Sequence, residues 1–186
     1  MDHIPERTPK SAAGLAQMCA YVIQELLGAA PSSIPVEGRI IVEVGVWTGR
    51  GTMVFSEYFG KVVAVDPWVV GPEIAGEYDM KQVEGIFDAR FAGNKNVMKM
   101  KLPSLRAAEE FGEETLDAVY VDAIHAYEGV RSDIAAWAPK VRRGGFLCGH
   151  DYEKRFPGVK DAVDEFAVNT MRAIKTFPDS SWAVKF

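Results

Sequence analysis

The chain has 186 residues, 48% of them apolar and 25% charged, a composition with which one domain can bury a real core. Its formal net charge of -5 gives no electrostatic basis for a nucleic-acid partner. No apolar run approaches the length of a bilayer span, and the residues after Met1 lack the basic-then-apolar pattern of an export signal, so a cytoplasmic chain without a membrane partner is expected.

The elements are taken in chain order. Residues up to Pro9 read as a tail. Ser11 is a suitable N-cap, and Leu15, Met18, Cys19, Val22, Ile23, Leu26 and Leu27 recur three and four apart until Gly28, which predicts an amphipathic helix. That helix is available either to cover a sheet or to form a homodimer contact. Residues 30–35 are turn formers. Residues 1–38 are therefore read as tail, helix and linker, and 39–186 as the main body of a single domain.

From Arg39 the pattern alternates between strand and helix. Ile40 to Val44 is a short β-branched run, as expected of a strand buried on both faces. A helix is predicted near Thr52 to Phe59, closed by Gly60, and a second strand over Val62 to Asp66. After a loop from Val69 to Glu77, a helix runs from Met80 to Phe91, a strand from Asn96 to Met100, and a helix capped by Ser104 to Phe111. A fourth strand is predicted over Leu116 to Asp122, followed by a helix carrying Tyr127, Val130, Ile134 and Trp137 on one face. Lys140, Arg142 and Arg143 read as cations complementing the end of that helix. Gly145 to Gly149 is a fifth strand, and Val159 to Phe166 another helix. Two β-like runs, Arg172 to Phe177 and Trp182 to Phe186, close the chain as a hairpin. Cys19 and Cys148 sit in apolar patterns without metal spacing and read as reduced core residues. Five strands alternating with helices imply a doubly wound α/β sheet, whose ligands bind at the carboxyl ends of the strands.

The chemistry is therefore sought at those ends. The first reads Glu43-Val44-Gly45-Val46-Trp47-Thr48-Gly49-Arg50-Gly51. Trp47 occupies the second glycine position of a dinucleotide fingerprint, which disfavours a nicotinamide or flavin cofactor, and no Gly-Lys-Ser/Thr loop is present. Asp66, about twenty residues after the turn, suits the hydroxyls of a ribose. Trp68 either packs on the adenosine or belongs to the core. The fourth strand ends with Asp122 and, three residues later, His125; the fifth ends with His150 and Asp151. Neighbouring parallel strands lie about 5 Å apart, so these groups can converge on one divalent cation.

These residues resemble a known family. Glu43-x-Gly45-x-x-x-Gly49 resembles the first motif of class I S-adenosylmethionine-dependent methyltransferases. The segment Leu116 to Glu128, with Asp133, Trp137, Pro139, Gly144-Gly145 and His150-Asp151-Tyr152, resembles the branch that includes macrocin-type sugar O-methyltransferases. The resemblance implies a Rossmann-like, mostly parallel sheet of seven strands with the last antiparallel. It implies that Glu43, Gly45, Trp47 and Gly49 shape the cofactor turn, that Asp66 holds the ribose, and that Ser104 lies near the adenine. Asp122, which also borders the cofactor, would join Asp151 and His150 as ligands of Mg2+ or another divalent cation. His125 would be the general base, acting with Asp122 in the methylation of a sugar or other small hydroxylated acceptor. The loop from Val69 to Glu77 would either close over the cofactor or simply connect two elements. The competing readings are a module that holds the adenosyl cofactor or a partner protein without chemistry and, more distantly, a nicotinamide-dependent Rossmann enzyme.

Overall fold

β-Branched and aromatic residues dominate the strands, and their alternation decides which face of the sheet each side chain joins. In this computed structural model, which describes residues 4, 9–71 and 78–186, the order is α1 (Pro9–Leu27), β1 (Val36–Val44), α2 (Arg50–Tyr58), β2 (Phe59–Val65), α3 (Met80–Arg90), β3 (Val97–Met100), α4 (Ser104–Ala108), β4 (Leu116–Val121), α5 (Tyr127–Trp137), a 3-10 turn (Ala138–Lys140), β5 (Val141–Gly149), α6 (Pro157–Thr170), β6 (Ile174–Thr176) and β7 (Trp182–Lys185). The strands form one sheet in the order β3-β2-β1-β4-β5-β7-β6. β3, β2, β1, β4 and β5 are parallel, and β7 runs antiparallel to both β5 and β6. The expected Rossmann-like sheet of seven strands is present. Strand order reverses between β1 and β4, and a crevice opens there at the carboxyl ends.

Successive residues of each strand feed opposite layers. Ile41, Val62, Ala118, Tyr120, Phe146 and Cys148 pack under α1 and α2, while Val42, Val63, Val119, Val121 and Leu147 pack under α5 and α6. Every residue of β4 is buried, as its central place requires. Leu15, Met18, Cys19, Val22 and Ile23 are all fully buried, so most of the apolar stripe of α1 covers the sheet, while Leu27 at its end is exposed. Both cysteines are free and buried in that layer. No helix among the described residues is long and apolar enough to cross a membrane.

Several boundaries differ from the sequence pattern, for physical reasons. α1 begins at Pro9, so Ser11 lies inside the helix. β1 starts at Val36, and Val36 pairs with Phe59, so Phe59 both caps α2, through its N–H to the Phe55 carbonyl, and opens β2, while Gly60 belongs to the strand and is not the helix cap. A Cβ on Gly60 would lie 2.8 Å from the Val36 carbonyl oxygen, which explains the glycine as a close approach between strands. β5 begins at Val141 and takes Arg142 and Arg143 into the sheet. The Arg142 guanidinium does not serve a helix end: its Nη2 lies 2.7 Å from Asp117 Oδ1, and Arg39 Nη1 lies 3.0 Å from the same oxygen. In the Val69 to Glu77 loop, residues 72–77 lie outside the described residues.

Candidate active site

The site grows from the turn after β1. Gly45 has φ +87, and a Cβ there would meet the Asp122 carbonyl oxygen at 2.2 Å. Only glycine lets the ends of β1 and β4 close up in this way. The Gly45 N–H donates to the Val65 carbonyl at 2.9 Å, and the Asp122 N–H to the Val44 carbonyl at 2.8 Å, so the ends of β1, β2 and β4 are tied together. Trp47 takes φ 56, a left-handed conformation rare for so bulky a residue and of the kind that functional sites retain. Its indole stands edge-on to Tyr78 at 5.2 Å.

Asp66 fastens this turn. Its Oδ2 accepts the backbone N–H groups of Val46 and Trp47 at 2.9 and 3.0 Å, and Oδ1 accepts that of Trp68 at 2.7 Å. Burial raises its carboxyl above the ordinary carboxylate range, and these three hydrogen bonds only partly offset that. A carboxylate offers about four acceptor directions, so one remains beside the crevice. Glu43 lies beneath the turn, buried, and accepts the Thr52 hydroxyl. A Cβ on Gly51 would sit 2.1 Å from Glu43 Oε1, so the start of α2 is cut back to fit the carboxylate. The buried Thr48 hydroxyl has no hydrogen-bond partner among the described residues.

Facing this turn are the ends of β4 and β5. His125 Nε2 lies 2.9 Å from Asp151 Oδ2, and His150 Nδ1 lies 3.0 Å from Asp151 Oδ1. One donor atom each from Asp122, His125 and Asp151 fall within 4.8 Å of one another. Burial alone would raise the Asp151 carboxyl, but hydrogen bonds and charge from the two histidines outweigh it and hold the group well below the usual range, fully ionised. His125 stacks on Phe156 with ring centroids 4.5 Å apart. A cleft of about 650 Å3 joins the two halves and is lined by Glu43, Gly45, Trp47, Asp66, Asp122, His125, His150 and Asp151.

Four expected site residues stand elsewhere or differently. Ser104 is the first residue of α4; its hydroxyl donates to Asp133 Oδ1 and accepts the Trp137 indole N–H, so it fastens α4 to α5 and is not part of the cleft lining. Trp68 is 3% exposed, packs against Phe87 and donates its indole N–H to the Trp47 carbonyl, so the core alternative holds for it. Gly49 turns away from the cleft: at φ +84, a Cβ there would strike the Phe91 ring at 2.5 Å. His150 lies 3.9 Å from Asp122 and turns Nδ1 to Asp151, so the group of three close donors takes His125 in its place. Sequence reasoning missed Ser11, Arg50, Glu153, Arg155, Pro178, Asp179 and Ser180, which also line the cleft. Ser11, Pro178, Asp179 and Ser180 reach it from α1 and the terminal hairpin, and only the folded arrangement brings those segments together.

The residues fit the groups the resemblance implies. A glycine turn, a buried acid and an unpartnered buried hydroxyl beside a cleft of this size suit a polar, cationic cofactor. The Asp122 and Asp151 carboxylates, with donor atoms within 4.8 Å of each other, suit a divalent cation, and the His125 imidazole stands beside them.

A family profile described as a methyltransferase domain matches residues 42–152. The uncharacterized protein y4gI of Sinorhizobium fredii (strain NBRC 101917 / NGR234) is 28% identical over 130 residues, which are 64% of this chain and 14% of that protein; the chain thus spans about a seventh of its curated relative. Among solved structures, an S-adenosylmethionine-dependent O-methyltransferase from Thermotoga maritima superposes with a TM-score of 0.60 at 15% identity, covering 100% of this chain and 68% of that one. CalS11, a TDP-rhamnose 3'-O-methyltransferase of calicheamicin biosynthesis, gives 0.62 at 14% identity, covering 92% and 78%. At these identities the two structures speak for the fold.

Proposed function

The chain belongs to the methyltransferase-domain family, and on that premise we propose that it transfers the methyl group of S-adenosylmethionine to a hydroxyl of a small acceptor. One observation carries this reading: Asp122, His125 and Asp151, from two adjacent strand ends, meet across a single cleft from the glycine turn over Glu43. When bound, S-adenosylmethionine supplies an electrophilic methyl on a sulfonium. The buried Glu43 carboxyl offers its oxygens beneath the turn, and the remaining acceptor direction of Asp66 suits a ribose hydroxyl.

A neutral hydroxyl attacks poorly at neutral pH, so the acceptor's proton needs a destination. His125 holds Nε2 2.9 Å from the ionised Asp151, which orients the imidazole beside the cleft as the base for that proton. Asp122 and Asp151 would hold a divalent cation, whose charge supplies further acidification of the hydroxyl. The rest is positioning within a walled cleft. Sugar hydroxyls are the preferred acceptor class, because His150, Glu153, Arg155 and Ser180 bring hydrogen-bonding side chains to the cleft beyond the turn.

Calorimetry and an acceptor screen with labelled cofactor test the proposal. S-adenosylhomocysteine should bind and NAD should not. His125→Ala should reduce transfer by about 10²–10⁴-fold with little change in cofactor affinity. Chelator should abolish transfer and Mg2+ restore it. Binding of NAD without S-adenosylhomocysteine would overturn the reading, whereas full transfer in chelator would remove the cation and leave the His125–Asp151 pair as the base.

A further inference from the structure

We propose that Asp179, on the turn of the terminal hairpin, is a positioning residue that orients His150 and, through it, Asp151. The inference rests on the reading of Asp151 and His125 given above. The Asp179 side chain is completely buried, and its Oδ2 lies 3.9 Å from His150 Nε2, at ion-pair distance. On the other edge of the same ring, His150 Nδ1 meets Asp151 Oδ1 at 3.0 Å. The imidazole is thus set between two carboxylates from different parts of the chain, and Asp151 divides its two oxygens between His150 and His125. Because one oxygen of Asp151 is engaged by His150, the other faces His125.

The fold builds a seat for this carboxylate. Asp179 accepts the Ser181 N–H at 3.2 Å and the Ser181 hydroxyl at 2.9 Å, and that hydroxyl is 3.1 Å from the Tyr120 hydroxyl of β4. A Cβ on Gly14 would lie 2.5 Å from Asp179 Cβ, so α1 can lie directly on the residue only because position 14 is glycine. The Trp182 indole N–H donates to the His150 carbonyl at 3.2 Å and fixes the backbone of the same histidine from the same hairpin. A turn that merely reversed the chain would need neither a fully buried acid nor two further contacts to one histidine. The terminal hairpin therefore completes the site as well as the sheet.

The chain has three histidines, so long-range proton–nitrogen correlation spectra read each imidazole ring separately. Asp179→Asn keeps the shape and removes the charge. It should displace both ring-nitrogen signals of His150 and, through Asp151, those of His125. His150→Gln should likewise displace the His125 signals. Unchanged His150 and His125 signals in a folded Asp179→Asn protein would overturn the proposal and reduce Asp179 to a hairpin residue. If that variant does not fold, Ser181→Ala loosens the carboxylate without removing it, and the same displacement is expected, its absence again overturning the proposal. Affinity for S-adenosylhomocysteine should stay within about twofold in Asp179→Asn, because the residue acts on the acid–imidazole cluster. Failure of the wild-type protein to bind S-adenosylhomocysteine would sink the methyltransferase reading and leave the histidine result standing.

Discussion

At the residue scale, single atoms decide whether the strand ends meet. Asp66, proposed above to hold the ribose, has a structural role of its own, since three backbone N–H groups converge on its carboxylate. Asp66→Ala should therefore weaken S-adenosylhomocysteine binding by about 10–150-fold, and also lower stability by about 1–3 kcal/mol, as calorimetry and urea denaturation would read. Asp66→Asn retains one acceptor oxygen and should lie between. Gly45→Ala places a methyl 2.2 Å from the Asp122 carbonyl oxygen at a φ of +87. It should lower stability by more than about 2 kcal/mol and displace Asp122 from the cluster. A variant with unchanged melting and unchanged binding would show that the turn opens easily. The distance of Asp66 after the turn marked it as a candidate site residue, and it does line the cleft, but its backbone role was not legible, because that depends on where Val46 and Trp68 place their amides.

At the element scale, α4 and α5 are joined through a buried acid. Asp133 is 4% exposed, accepts the Ser104 hydroxyl, and has a second oxygen without a partner among the described residues. Burial raises its carboxyl to about 6, and the Ser104 hydrogen bond lowers it only in part. The folded value lies above the unfolded one, so between about pH 4 and pH 6 the folded chain holds more protons. The stability Asp133 contributes is full at the acid end of that window and is lost as pH rises through it. Asp133→Asn keeps the hydrogen bond to Ser104 without the charge. At about pH 8 it should stabilise the protein by about 1–3 kcal/mol, and the gain should shrink towards about pH 4. Urea denaturation at both pH values checks this; a gain independent of pH would mean the acid is not strained. Ser104 shows the limit of motif reading: its place after β3 suggested the adenine, but the nearer partners Asp133 and Trp137 claim its hydroxyl.

At the scale of the whole molecule, the end of the sheet opposite the cleft is fastened by Asp117. Its Oδ1 accepts from Arg39 and Arg142, and its Oδ2 accepts the Ile40 N–H at 2.8 Å, linking the starts of β1, β4 and β5. Both guanidinium groups are about one-third exposed, so solvent screens part of each pair. Asp117→Ala should cost about 1–3 kcal/mol in urea denaturation, chiefly through the lost acceptor of three partly buried donor groups. Arg143→Ala breaks only a pair that is almost fully exposed on the arginine side and should change stability by less than about 0.5 kcal/mol. Equal effects would show that the Asp117 group is no more than surface charge.

The sequence by itself determined the alternation of strand and helix, the placing of acid and imidazole groups at the ends of β4 and β5, and the closing hairpin. These are local matters, because apolar periodicity, glycine and turn chemistry act over a few residues. Trp47, at the second glycine position of a dinucleotide fingerprint, disfavours such a turn on local grounds of the same kind. Only the tertiary structure decided which groups share the cleft. It put His125 with Asp122 and Asp151, turned His150 to Asp151, withdrew Ser104, Trp68 and Gly49 into packing, and brought Asp179 from the far end of the chain. Those outcomes depend on close approaches between distant segments, at Gly45 against Asp122 and Gly14 against Asp179, which no periodicity encodes.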